Sequence, residues 1–81
     1  MVRIIPSKEF IKNTKKLDSK QREKLEKQIK KIVKDPFIGK PLKYRRGERA
    51  IRIKPFRLIY SFSKGENLYL LKFDHRKKVY D

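Results

Sequence analysis

The hydrophobic pattern of this 81-residue chain changes period near its middle, and that change limits the folds open to it. Between Lys8 and Val33 the apolar side chains recur every three or four residues, as they do on a helix that buries one stripe. From Leu42 onward they alternate or run in short blocks of Ile, Leu, Tyr and Phe, punctuated by Gly47, Pro55 and Gly65. Such blocks read as strands joined by tight turns. Helices followed by a meander predict an α+β fold, with a two-helix hairpin packed on a twisted, mostly antiparallel sheet.

Local signals place the elements. "VRIIP" is rich in β-branched residues and stopped by Pro6, so residues 2–5 read as a strand. Ser7 can cap a helix over 8–17 carrying Phe10, Ile11, Thr14 and Leu17. Asp18 with Gln21 three residues on fits a capping box for a second helix, whose stripe is Leu25, Ile29, Ile32 and Val33 and which Asp35-Pro36 ends. A connection of about two residues makes the helices antiparallel neighbours. Strands are expected near 42–46, 49–54, 57–63 and 67–74.

Alternation then sorts the strand residues by face. Ala50, Arg52 and Lys54 fall on one side and Ile51 and Ile53 on the other; Leu58, Tyr60 and Phe62 oppose Arg57, Ile59 and Ser61. One face reads as core and the other as a basic surface. The strand holding Leu68, Tyr69, Leu70, Leu71 and Phe73 is apolar on both sides, which fits a central strand or a surface that docks a partner.

Length and composition bound the rest. Residues 1–81 can bury one core and not two, so a single domain is expected. There is no cysteine and one histidine, which leaves no disulfide framework, no thiolate metal site and no expected cofactor. No apolar run has the length of a membrane span, and a cytosolic protein is the expectation. The net charge of +16 is spread through the chain, with thirteen cations against five anions in residues 1–40 and twelve against four in the remainder. Self-repulsion on this scale is best matched to a polyanion whose counterions are released on binding, with nucleic acid ahead of an anionic membrane or an acidic protein. Seventeen lysines against eight arginines, with abundant Ile, are compatible with a heat-loving or AT-rich source.

Two stretches resemble chemistry. In "AIRIKPFRLIY" the cations Arg52, Lys54 and Arg57 lie on neighbouring strands, and in "DHRKKVY" Arg76 and Tyr80 follow the strand that should pair beside Arg57. Arginine offers a fixed fork of donors to phosphate, lysine a compact charge, and tyrosine a flat face for a base. A chain with 25 basic residues will also place several on any sheet without purpose. The lone His75 has the right chemistry for proton transfer, but alternation puts it with Phe73 and opposite Arg76, which reads as scaffold. Asp74, Glu48 and Glu66 form no evident catalytic pair.

The order of these pieces, from the opening strand through the helical hairpin, "DPFIGKPL", "RIKPFRLIY" and the closing "HRKKVY", resembles the RelE/ParE superfamily of toxins from toxin–antitoxin pairs. The resemblance runs nearly end to end. It implies two helices on one side of an antiparallel sheet and a concave basic face opposite. RelE-like members are ribosome-dependent endoribonucleases that cut mRNA in the ribosomal A site and are blocked by a cognate antitoxin, so the resemblance implies ribosome, mRNA and an acidic, helical or extended antitoxin as partners. Carried over by position, the family's basic strand falls on Arg52 and Lys54, its next-strand arginine on Arg57, and its C-terminal pair on Arg76 and Tyr80. Arg52 stands where some members have lysine, and the connection at Pro55 is shorter than in some.

On that resemblance Lys54 would take the 2'-OH proton, assisted by the cations beside it, and Arg57 would hold the non-bridging phosphate oxygens. Arg76 would stabilise the leaving oxygen or act as the acid, Arg52 would grip the RNA backbone and Tyr80 would stack on or orient the base, while Arg49, Lys77 and Lys78 would extend the nucleic-acid surface. Two other readings stay open: a ParE-like inhibitor of DNA gyrase, and a basic RNA- or ribosome-binding module without catalysis.

Overall fold

The computed structural model describes residues 2–43, 46–63 and 65–75. In chain order they form β1 (Arg3–Pro6), α1 (Lys8–Thr14), α2 (Ser19–Lys34), β2 (Lys40–Pro41), β3 (Glu48–Ile53), β4 (Phe56–Ser63) and β5 (Asn67–His75). The strands make one sheet in the order β1-β5-β4-β3-β2, antiparallel except where β1 runs parallel to β5. The α+β architecture expected from the period change is therefore present.

Both helices start where the capping residues stand. The Ser7 hydroxyl accepts from Phe10 N–H at 3.0 Å and donates to Leu71 C=O at 2.7 Å, so one side chain caps α1 and ties it to β5. The Asp18 carboxylate accepts from Gln21 N–H at 2.8 Å. The returning half of the capping box is not made: Gln21 Oε1 is buried without a hydrogen-bond partner. α1 ends at Thr14, three residues short of the expected Leu17, because the Thr14 hydroxyl bonds back to Phe10 C=O and Arg22 of α2 takes up Thr14 C=O at 3.2 Å. Four residues rather than two then join the helices. Ile11, read as part of the buried stripe, is exposed, and Thr14 is buried in the turn beneath it.

Of the expected strand at 42–46, Tyr44 and Arg45 lie outside the described residues, and Leu42, Lys43 and Arg46 are not in a strand. Sheet pairing occurs at Lys40 and Pro41, opposite Ala50 and Arg49, and Leu42 N–H adds a bond to Glu48 C=O before the chain turns. Gly47, with φ of 77°, supplies the left-handed residue that this turn needs. β3 and β4 pair from Glu48↔Ser61 to Ile53↔Phe56 around Lys54 and Pro55, whose peptide bond is cis.

One side of the sheet carries the main core. Phe10 of α1 with Leu25 and Ile32 of α2 pack on Ile53, Leu58, Tyr60, Leu68, Leu70 and Phe73. Strict alternation would put Phe73 on the side of Tyr69 and Leu71. A register shift prevents this: Ile59 faces Lys72 while Tyr60 faces Leu70, so β5 holds an extra residue and Phe73 returns to the core. The Asn13 carboxamide then accepts from Phe73 N–H at 3.1 Å, covering the part of β5 that β1 does not reach.

Candidate nucleic-acid interface

Among the described residues, the opposite side of the sheet carries no helix. Its floor is a small apolar cluster of Leu42, Ala50 and Ile59, with Leu71 against it. Beside that floor β3 and β4 set Arg52 directly across from Arg57, and β5 places Asp74 next in the same row. A shallow pocket of about 160 Å³ opens here, lined by Lys40, Pro41, Leu42, Ala50, Arg52 and Arg57. Arg57 is half-buried and Arg52 exposed, which suits one cation to a fixed position and the other to reaching a polyanion. Opposed guanidinium groups on adjacent strands repel, by a few tenths to about 1 kcal/mol. A bound phosphate would reverse the sign of that interaction.

The other expected site residues fall in three places. Lys54 lies in the β3–β4 turn, beyond the end of the strand, and is exposed; turn geometry rather than alternation sets its direction. Arg76, Lys77, Lys78 and Tyr80 lie outside the described residues. Arg49 departs from the expected basic surface. Its guanidinium donates to Gly39 C=O at 2.8 Å and Phe37 C=O at 3.2 Å and lies 5.0 Å from the centre of the Phe37 ring. One residue of register separates Arg49 from Ala50 and so puts it on the other face from Arg52. His75 keeps the scaffold position, its ring edge-on to Phe56, which stacks on Phe73.

Lys40, Pro41 and Leu42 line the pocket but were not singled out in sequence, because a strand drawn over 42–46 hid the two-residue β2. Tyr60 was read only as core. Its buried hydroxyl accepts from Gly39 N–H at 2.9 Å and donates to Pro36 C=O at 2.8 Å, which fixes the α2–β2 connection from below. Burial raises the Tyr60 pKa above its ordinary 10.0, against smaller lowering effects of the Gly39 bond and the Arg49 charge. A Cβ on Gly39 would lie 2.7 Å from the Tyr60 hydroxyl, so glycine is required by space. Among the described residues no three His, Asp or Glu groups come together as metal ligands, and no helix is long and apolar enough to cross a membrane.

Solved structures share this fold. The toxin chain of the intact E. coli RelBE toxin–antitoxin complex superposes with a TM-score of 0.82 at 20% identity, over 93% of this chain and 96% of its own. The RelB–RelE antitoxin–toxin complex of Methanococcus jannaschii gives 0.75 at 18% identity, over 95% of each chain. The E. coli DinJ–YafQ complex gives 0.76 at 16% identity over 100% of each. These likenesses establish a RelE-like fold. No curated protein sequence matches the chain significantly. The model of the family described as the ParE toxin of the type II toxin–antitoxin system parDE matches residues 4–80, and the chain thus belongs to that family, as a toxin of the RelE/ParE superfamily.

Proposed function

We propose that this toxin is a metal-independent endoribonuclease that cuts mRNA in the ribosomal A site, and that a cognate antitoxin blocks it. The observation that carries the reading is the pairing of Arg52 with Arg57 across β3 and β4, beside a pocket on the helix-free face. Cleavage by the 2'-OH requires that its proton leave, that the phosphorane-like charge be stabilised, and that the 5' oxygen gain a proton. Arg57, half-buried on the strand, holds the non-bridging oxygens; Arg52 grips the adjoining phosphate. Lys54 at the turn takes the 2'-OH proton. Arg76 stabilises the leaving oxygen, which takes its proton from water, and Tyr80 stacks on the base. The antitoxin part rests on the solved RelBE and DinJ–YafQ structures, which are toxin–antitoxin complexes.

The gyrase-inhibitor reading has the family model's own name behind it. A translation extract with purified protein separates the two. Codon-phased mRNA cuts that require ribosomes are the expected result, and Arg57→Ala should slow them by about 10²- to 10³-fold with the fold intact, the usual loss for one charge-stabilising donor. Inhibition of DNA supercoiling without RNA cuts would replace this reading by the other.

A further inference from the structure

Phe37 and Ile38 are unusually exposed for residues on so firmly held a loop. The connection Asp35–Gly39 leaves α2, and 66% of Phe37 and 46% of Ile38 are open to solvent. A loop displaying two large apolar side chains would ordinarily fold them inward, since burying each is worth about 1.5–3 kcal/mol. Here the backbone is held against that tendency. Tyr60 bonds it at Pro36 and Gly39, Arg49 bonds it at Phe37 and Gly39, and the Asp35 carboxylate accepts from Phe37 N–H at 3.2 Å. The Phe37 ring has Arg49 5.0 Å from its centre and Phe62 edge-on at 6.3 Å. The two side chains are thus presented in a fixed pose.

We propose that this loop is a preformed docking element for an acidic, amphipathic segment of the antitoxin, and the proposal rests on the toxin–antitoxin reading above. Charge complementarity selects the occupant. Lys34 and Lys40 flank the loop, both exposed, and Arg49 lies beneath it. Beside it runs a groove of about 440 Å³ lined by Ile38, Gly39, Lys40, Ala50, Ile51 and Arg52. Apolar side chains mixed with cations along a groove fit apolar anchors set among carboxylates. An aromatic ring with an arginine at its face is also the composition of protein interface centres. RNA would use the cations and the ring but gain little from Ile38, and a second copy of a +16 chain would meet like charge. Because Arg52 is part of the groove's lining, a segment seated in it reaches the cation that faces Arg57. Docking and inhibition are then one event: the partner's carboxylates occupy the place of the RNA phosphate.

The test co-expresses this chain with the polypeptide encoded by the reading frame adjacent to its own and measures their affinity by titration. Phe37→Glu combined with Ile38→Glu should weaken the complex at least 100-fold, while Ile11→Glu, an equally exposed apolar position on α1, leaves it within about twofold. Arg49→Met should weaken it about tenfold with Phe37 and Ile38 still present, since it frees the loop they stand on. Circular dichroism melting confirms that each variant folds. Undiminished affinity of the double variant overturns the proposal. So does a wild-type dimer that the double variant abolishes, which makes a second copy the occupant, or a loss confined to RNA binding, which makes RNA the occupant. Absence of any complex with the wild-type chain removes the antitoxin reading itself.

Discussion

The two faces of the sheet are built from the same strands by alternate residues, yet they do different work. Among the described residues, the helix side joins nine buried residues from both helices and three strands into one core, whereas the open side buries Leu42, Ala50 and Ile59. Stability is concentrated on the first face, so the second is free to collect cations. The open face is not a uniformly basic plane. Its apolar floor keeps water from the backbone beneath, and Arg52 and Arg57 stand at one end of it.

Substitutions can break this division of labour. The largest stability effect expected is Phe73→Ala on the helix side, about 3–5 kcal/mol, because the ring is fully buried against Phe56. For a domain of this size it would lower the melting temperature by more than about 12 °C. Tyr60→Phe keeps the ring and removes the hydroxyl that serves Gly39 and Pro36, at about 1–3 kcal/mol. It also has a pH signature. The folded tyrosine holds its proton more tightly than the unfolded one, so its contribution is complete below pH 10.0 and declines as pH rises above that value. The wild-type chain should lose this part of its stability on alkaline titration, and Tyr60→Phe should flatten that limb. Ser7→Ala, which removes both the α1 cap and the tie to Leu71, is expected to cost about 1–2 kcal/mol in urea unfolding. Arg52→Ala, on the open face, should move stability by less than about 0.5 kcal/mol. A large loss there would show that the basic face also supports the fold.

What could be read in the sequence follows the same boundary. Period and capping residues are local signals, so both helix starts, the faces of β3 and β4, and the sharing of one face by His75 and Phe73 were legible in the sequence, while the side on which that pair falls depends on the register shift. Events that depend on tertiary partners were not. The extra residue in β5 matches no local pattern; its carbonyl at Leu71 is taken by Ser7, 64 positions away. Arg49 looked like one more cation beside Arg52, and only its contact with Phe37 and Gly39 shows that it serves a loop. "DPFIG" did hold a hint: a glycine after two large apolar residues marks a backbone that something approaches closely.

The partnership of β1 with β5 sets an order of events during synthesis. Arg3 pairs with Asn67 and Pro6 with Leu70, so the first strand made waits for the last, and β5 is bonded on both flanks once it arrives. Contacts this distant in sequence are slow to form. On an elongating ribosome the helices can fold early, but the sheet closes only after residue 75 has emerged. Until then β4 lacks its neighbour, and the row from Arg52 through Arg57 to Asp74 does not exist. The paired row of cations on the open face is therefore among the last parts of the sheet to form, by the connectivity of the sheet alone.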